Sequence, residues 1–303
     1  MPNFAILTDS ASNLTAKQLR DNDITAIPFP YFLKGKEYGC ELLETFDDMA
    51  FYAALKNGEK VTTSQINPQR YIDFMRPLLE AGKDILFIGL SSGVSGAFSS
   101  AVMAKEQLAE EFPQRKIELV DSLGASLGEG LMVLRAAELR AEGKTIDETA
   151  EEVRIHIEKM YQVFTVDDLM FLKRTGRLSN ISAAVGTVLG IKPLLKGNEE
   201  GKIVAFGKIR GRAKVIAALA EKYGTLVKEP ENQTVGISYC DCKEDATALA
   251  ELINRTNPPK KLIGVKHEPA TGSHLGPGAL ALYFEGEKGI RKVGSIINVG
   301  VTK

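Results

Sequence analysis

Short apolar runs recur along the chain, separated by amphipathic helical patterns, and this alternation constrains the fold more than any other feature. Residues 4–8, 24–27, 84–90 and 116–120 read as strands, with helical patterns at 15–21, 95–111, 128–142 and 145–160. A brief apolar run bounded by turn residues suits a strand covered on both faces. Strands alternating with helices at this spacing make a mostly parallel sheet with helices on either side. Several helix starts are written into the sequence. Thr15 with Gln18 and Thr145 with Glu148 have the spacing of a capping box. Asn67-Pro68 places a proline where its missing N–H is not needed, and Thr45 heads a helix through residue 55 with Asp48 in its first turn. Residues 31–38 read as a hairpin turning at Lys34-Gly35.

The pattern restarts with strands at 163–166, 201–209, 234–239, 261–265 and 279–284 and helices at 211–223 and 243–255. We expect an α/β fold of two α/β domains. The first is a Rossmann-like N-terminal parallel sheet with helices on both faces, over residues 1–160. A smaller C-terminal α/β domain follows over 161–286, and residues 287–303 form a tail of unassigned order. The length of 303 residues suits two domains, at about 100–200 residues each.

Charge and composition remove several function classes. Lys and Arg total 38 against 39 acidic residues, so no strong field points to nucleic acid, and membrane contact is at most transient. No basic segment precedes a long apolar one at the N-terminus, and the apolar stretch at 181–195 is broken by Gly186, Gly190, Lys192 and Pro193. We expect a cytoplasmic protein. Cys40, Cys240 and Cys242 are an odd set without zinc or thioredoxin spacing. His156, His267 and His274 lack metal-ligand spacing, and a Walker A sequence is absent, so neither metal nor cofactor is expected.

What remains is a set of loops rich in hydroxyls and glycine, each at a strand end: 8–10, 62–65, 91–96 and 121–122. Ligands of open parallel sheets bind beyond the carboxyl ends of the strands. The 91–96 loop also feeds a helix N-terminus, whose free N–H groups favour an anion. Any one such loop is ordinary turn chemistry, but four at successive strand ends describe a neutral donor cradle for a carboxylate or phosphate. His274 lies in a glycine-rich loop before a strand, where a cationic imidazole would clamp a carboxylate. No carboxylate pair marks a general acid and base.

A competing reading is a serine hydrolase. Gly124-Ala125-Ser126-Leu127-Gly128 matches Gly-x-Ser-x-Gly, and Asp167 or Asp168 and then His274 follow in hydrolase order. Against it, Ser126 lies six residues past Val120, whereas a nucleophile elbow sits directly at a strand end. Two further segments stand out. Residues 171–179 carry Lys173, Arg174 and Arg177 around Gly176, either as a solvated helix end or as a docking patch. The small residues of 181–195 suit close helix packing or a channel for an alkyl chain.

Taken together and in order, these segments resemble the DegV family, the fatty-acid-binding component of bacterial fatty acid kinase. The matching pieces are Thr8-Asp9-Ser10, Thr63-Ser64-Gln65, Ser91-Ser92-Gly93-Val94-Ser95-Gly96, Val120-Asp121-Ser122 with Ala125-Ser126-Leu127-Gly128, residues 173–179, and Gly272-Ser273-His274 with Gly276-Pro277-Gly278-Ala279. The resemblance spans residues 4 to about 285. It implies a protein without independent catalysis or a cofactor, holding one long-chain fatty acid between two α/β domains. A separate ATP-dependent kinase would receive the carboxylate and make an acyl phosphate for phospholipid synthesis. Thr63, Ser64, Ser92, Gly93, Ser95 and His274 would hold the carboxylate, and Arg174 and Arg177 would face the kinase. Two departures are Ile66-Asn67 ahead of Pro68, where the family usually has proline directly after the glutamine, and the longer tail.

Overall fold

A computed structural model describes residues 4–39, 46–179 and 190–292. Its first layer is a four-stranded, wholly parallel sheet in the order Ile24–Ile27, Phe4–Asp9, Asp84–Gly89, Ile117–Asp121. Phe4–Asp9 is buried along its whole length, as a central strand covered on both faces must be. Helices Pro68–Glu80 and Ala97–Glu111 pair on one face, and Leu127–Ala141 and Ile146–Lys159 on the other. Both capping boxes form, at Thr15 and Thr145, and Asn67 caps Pro68–Glu80 through a bond from the Arg70 N–H. The helix Asp48–Lys56 is capped by Asp47, which accepts from the Ala50 N–H. Thr45, expected in that role, lies outside the described residues.

The second layer is a seven-stranded sheet in the order Lys261–Lys266, Thr234–Tyr239, Leu280–Glu285, Met160–Thr165, Ile191–Gly197, Ile203–Arg210, Leu178–Ser179. Only its two edge pairings are parallel. Sequence spacing explains the change of character. Ile191–Gly197 and Ile203–Arg210 are joined by a turn at Asn198–Lys202 that is too short for a crossover, so they pair antiparallel. Of the apolar stretch at 181–195, residues 181–189 lie outside the described residues, and residues 191–195 enter this sheet as part of strand Ile191–Gly197. Of the 287–303 tail, residues 293–303 likewise lie outside. Ile290 and Arg291 are buried, Arg291 by donating to the carbonyls of Met160 and Leu123.

A small antiparallel sheet, Lys36–Gly39, Pro30–Leu33 and Val61–Thr63, completes the fold. Its hairpin turns at Lys34 and Gly35, both with positive φ, as a two-residue turn requires.

The helix Leu127–Ala141 sits between the two large sheets, touching Phe4–Asp9 and Asp84–Gly89 on one side and Thr234–Tyr239 on the other. Two glycines on it allow the approach. A Cβ on Gly130 would fall 2.4 Å from the Ser12 carbonyl oxygen, and one on Gly128 would fall 2.3 Å from Gln162 Oε1. One apolar cluster therefore runs from the first sheet through this helix into the second, joining Leu7 and Val133 to Phe164 and Tyr283. A second cluster lies under helices Arg212–Leu226 and Lys243–Thr256.

Candidate functional site

A cavity of about 190 Å³ opens where the three sheets meet. Its interior is largely apolar, with Leu90, Leu123, Phe164, Leu172, Leu275 and Ala281 in the wall. Polar side chains gather at one end.

Three elements build that end. The antiparallel Val61–Thr63 strand carries Thr63 and, one residue beyond, Ser64. The 91–96 loop leaves Asp84–Gly89 and enters helix Ala97–Glu111, bringing Ser91, Ser95 and Gly96 to the cavity. The short helix Pro269–Leu275 brings His274. Sequence reading took this last segment for a loop because of its glycine. In the structure, Pro269 starts a helix and the Glu268 carboxylate caps it, accepting from the N–H groups of Ala270 and Thr271.

Thr63 Oγ1 and His274 Nε2 are 2.8 Å apart although 211 residues separate them in sequence. Burial first, and then the Arg177 guanidinium, lower the His274 pKa to about 4. The imidazole is thus neutral near neutrality, not the cationic clamp expected from sequence. Its Nδ1 is buried and has no partner among the described residues, an arrangement that leaves hydrogen-bonding capacity unspent. Arg177 also lines the cavity, fixed by Nε donating to the Val94 carbonyl. No acidic residue lines the cavity among the described residues.

The expected head-group residues separate into two groups. Thr63, Ser64, Ser95 and His274 meet at the cavity, and Ser92 and Gly93 do not. The Ser92 N–H turns toward the Asp121 carboxylate, 3.2 Å away. The Gly93 N–H donates to Ser91 Oγ at 3.1 Å, and Ser91 Oγ donates to the Gly201 carbonyl at 2.9 Å. Gly93 is there for a close backbone crossing, since a Cβ would lie 2.4 Å from the Glu200 carbonyl oxygen. Of the two arginines expected to face a partner, Arg174 is exposed and stacks over the Phe171 ring at 4.7 Å, while Arg177 turns into the cavity.

Sequence reasoning missed the polar group elsewhere in the wall. His267 and Tyr283 line the cavity and belong to a buried network. His267 Nε2 lies 2.7 Å from Ser238 Oγ, which lies 2.9 Å from the Tyr283 hydroxyl. His267 Nδ1 lies 2.9 Å from Thr271 Oγ1. Burial drives its pKa to about 3, so it too is neutral. Asn13, with a left-handed φ of 54°, donates to Ser126 Oγ at 2.6 Å and accepts from the Glu268 N–H. These groups come from five distant segments, and nothing in their spacing announces the network.

The hydrolase constellation is not assembled. Ser126 does have a strained backbone (φ 55°, ψ −137°) ahead of its helix, but it is fully buried, and Asn13 occupies its Oγ. His274 pairs with Thr63, Asp167 with Lys192 and Arg212, and Asp168 with the Met170 N–H. A fluorophosphonate probe is accordingly expected to leave Ser126 unlabelled in intact-mass spectra, and an adduct there would restore the hydrolase reading.

These features define a three-sheet α/β protein with an apolar cavity whose donor-rich rim holds hydroxyls, a neutral imidazole and one guanidinium. The chain belongs to the DegV family: a family model described as "Uncharacterised protein, DegV family" matches residues 3–287. A DegV domain-containing protein of Clostridium perfringens is 37% identical over 287 residues, covering 95% of this chain and 99% of that one. One from Streptococcus pyogenes serotype M1 is 34% identical over 284 residues, covering 94% and 98%. Among solved structures, a DegV family protein of Thermus thermophilus described for its fatty acid binding superposes with a TM-score of 0.85 at 28% identity, covering 94% of this chain and 100% of that one. A fatty acid binding DegV family protein of Streptococcus agalactiae gives 0.83 at 28% identity, covering 95% and 100%.

Proposed function

We propose that this protein holds one long-chain fatty acid, with the alkyl chain in the cavity and the carboxylate at Thr63, Ser64, Ser95 and His274. The observation that carries this reading is the cavity itself, apolar within and without an acidic residue in its described lining. A buried methylene contributes about 0.8 kcal/mol, so partial enclosure of the chain already gives tight retention. Hydroxyls and a neutral imidazole meet the head group without burying a second full charge, and Arg177 at the rim favours the ionised acid. The fatty acid binding described for the relatives from Thermus thermophilus and Streptococcus agalactiae supports the same reading.

On this reading the protein is a carrier rather than an enzyme and works without a cofactor in the cytoplasm. It presents the head group to a separate ATP-dependent kinase that forms the acyl phosphate used in phospholipid synthesis, with the exposed Arg174 on the presenting face. Among the described residues no helix is long and apolar enough to cross a membrane.

Solvent extraction of protein purified from a bacterial host, followed by mass spectrometry, is expected to return close to one fatty acid per chain. Lipid-free protein that also fails to take up added fatty acid would refute the proposal. Thr63→Val and His274→Ala each remove one side of the 2.8 Å pair. Each is expected to weaken fatty acid binding by about 1–3 kcal/mol, or roughly 5- to 150-fold, in a titration of delipidated protein.

A further inference from the structure

Directly beneath the cavity wall lie two carboxyl groups that the fatty-acid reading does not use. Asp9 ends strand Phe4–Asp9 and Glu129 lies in the first turn of helix Leu127–Ala141. Both are fully buried, and each carboxyl acts on the other. Sequence reading found no such pair because 120 residues separate its members.

The pair is tied to the wall through the backbone. Asp9 Oδ1 accepts from the Ala11 N–H at 3.0 Å and Oδ2 from the Leu90 N–H at 2.9 Å, and both Ala11 and Leu90 line the cavity. Leu90 also leads into the 91–96 rim loop. Thr8 Oγ1 donates to Glu129 Oε1 at 2.7 Å, and no donor reaches Glu129 Oε2 among the described residues. The titratable groups facing the pair from other elements are Tyr71, on helix Pro68–Glu80, and Glu268, at the start of Pro269–Leu275. Neither is a cation. Two carboxyls in contact without a cation hold one proton between them, because both cannot ionise side by side in a buried site. Burial above all raises Asp9 to about 7, against the two N–H donors that hold it down, and burial followed by the Asp9 charge raises Glu129 as well.

We propose that the Asp9–Glu129 pair is a proton-dependent latch on the ligand cavity. Holding its shared proton, the pair anchors the Ala11 and Leu90 segments of the wall. When that proton passes to solvent, a second negative charge appears under the wall, loosens it and repels an anionic ligand. The inference rests on the fatty-acid reading and adds to it a condition for release.

The test uses delipidated full-length protein and dodecyl sulfonate, a ligand that stays anionic throughout, titrated from about pH 6 to about pH 9 alongside urea unfolding at each pH. A raised folded-state pKa means that the folded protein binds more protons than the unfolded chain. The urea midpoint of the wild type therefore falls as pH rises through this window. Sulfonate affinity is expected to fall about tenfold over the same range, the equivalent of one pKa unit of linkage. In Glu129→Gln, which removes one ionisable member and keeps an amide donor for Asp9, both profiles flatten. Parallel affinity profiles for wild type and variant overturn the latch while leaving lipid binding intact. A wild-type urea midpoint that is flat across the window overturns it without any variant. No sulfonate or fatty acid binding at any pH refutes the carrier reading and the latch together.

Discussion

Replacing Ala281 with phenylalanine is expected to strip the protein of its lipid while leaving it folded. Ala281 sits on the interior strand Leu280–Glu285 and contributes to the cavity wall. A phenyl ring there occupies space that would otherwise hold several methylenes of the ligand. Excluding five methylenes removes about 4 kcal/mol of burial, roughly a thousandfold in affinity. The ring enters a void rather than a filled core, so the usual overpacking penalty of about 1–3 kcal/mol is largely avoided. The checks are lipid content by extraction and mass spectrometry, and the urea midpoint on the same sample. Full lipid content in a folded Ala281→Phe variant would mean that the ligand lies elsewhere.

Gly93→Ala is expected to act in the opposite manner, losing stability and lipid together. Its Cβ would stand 2.4 Å from the Glu200 carbonyl oxygen and 2.7 Å from the Gly201 carbonyl carbon. Both are backbone atoms, so relief requires the 91–96 loop and the 198–202 turn to part. That movement breaks the 2.9 Å bond from Ser91 Oγ to the Gly201 carbonyl and exposes the rim. The expected loss is about 2–4 kcal/mol in urea unfolding, with lipid retention falling in parallel. If Gly93 instead served as a donor to the carboxylate, alanine, which keeps the N–H, would leave stability unchanged. Paired measurement of the two properties separates these roles.

The parts of the fold legible in sequence are those set by local chemistry. The parallel sheet followed from apolar runs spaced by amphipathic helices, and the Thr15, Asn67 and Thr145 caps followed from single side chains beside a helical pattern. The Lys34-Gly35 turn was equally local. The antiparallel character of the second sheet was less visible, because strand spacing alone does not distinguish a short turn from a crossover when a strand start is misjudged by a few residues. In the site, hydroxyl-rich loops were readable as a class, since strand ends converge in an open sheet. Which hydroxyls point inward was not. Ser92 and Ser95 are three residues apart in one loop, and only the turn at Gly93 and Gly96 decides that Ser95 reaches the cavity. The Asp9–Glu129 pair and the His267 network depend entirely on tertiary approach. Each joins segments more than a hundred residues apart.

The central helix bears on how a lipid gets in and out. Gly130 rests on the Ser12 carbonyl and Gly128 on Gln162, and one cluster of side chains continues through the helix into both sheets. A hinge that swung the two halves apart would have to tear that cluster. A fatty acid seated as proposed would pass the Thr63 and His274 side chains end-on, tail leading on the way in and head leading on the way out. The carboxylate would then be the last part to be engulfed and the first to be offered, and residence time would grow with each methylene that must slide back past the polar collar.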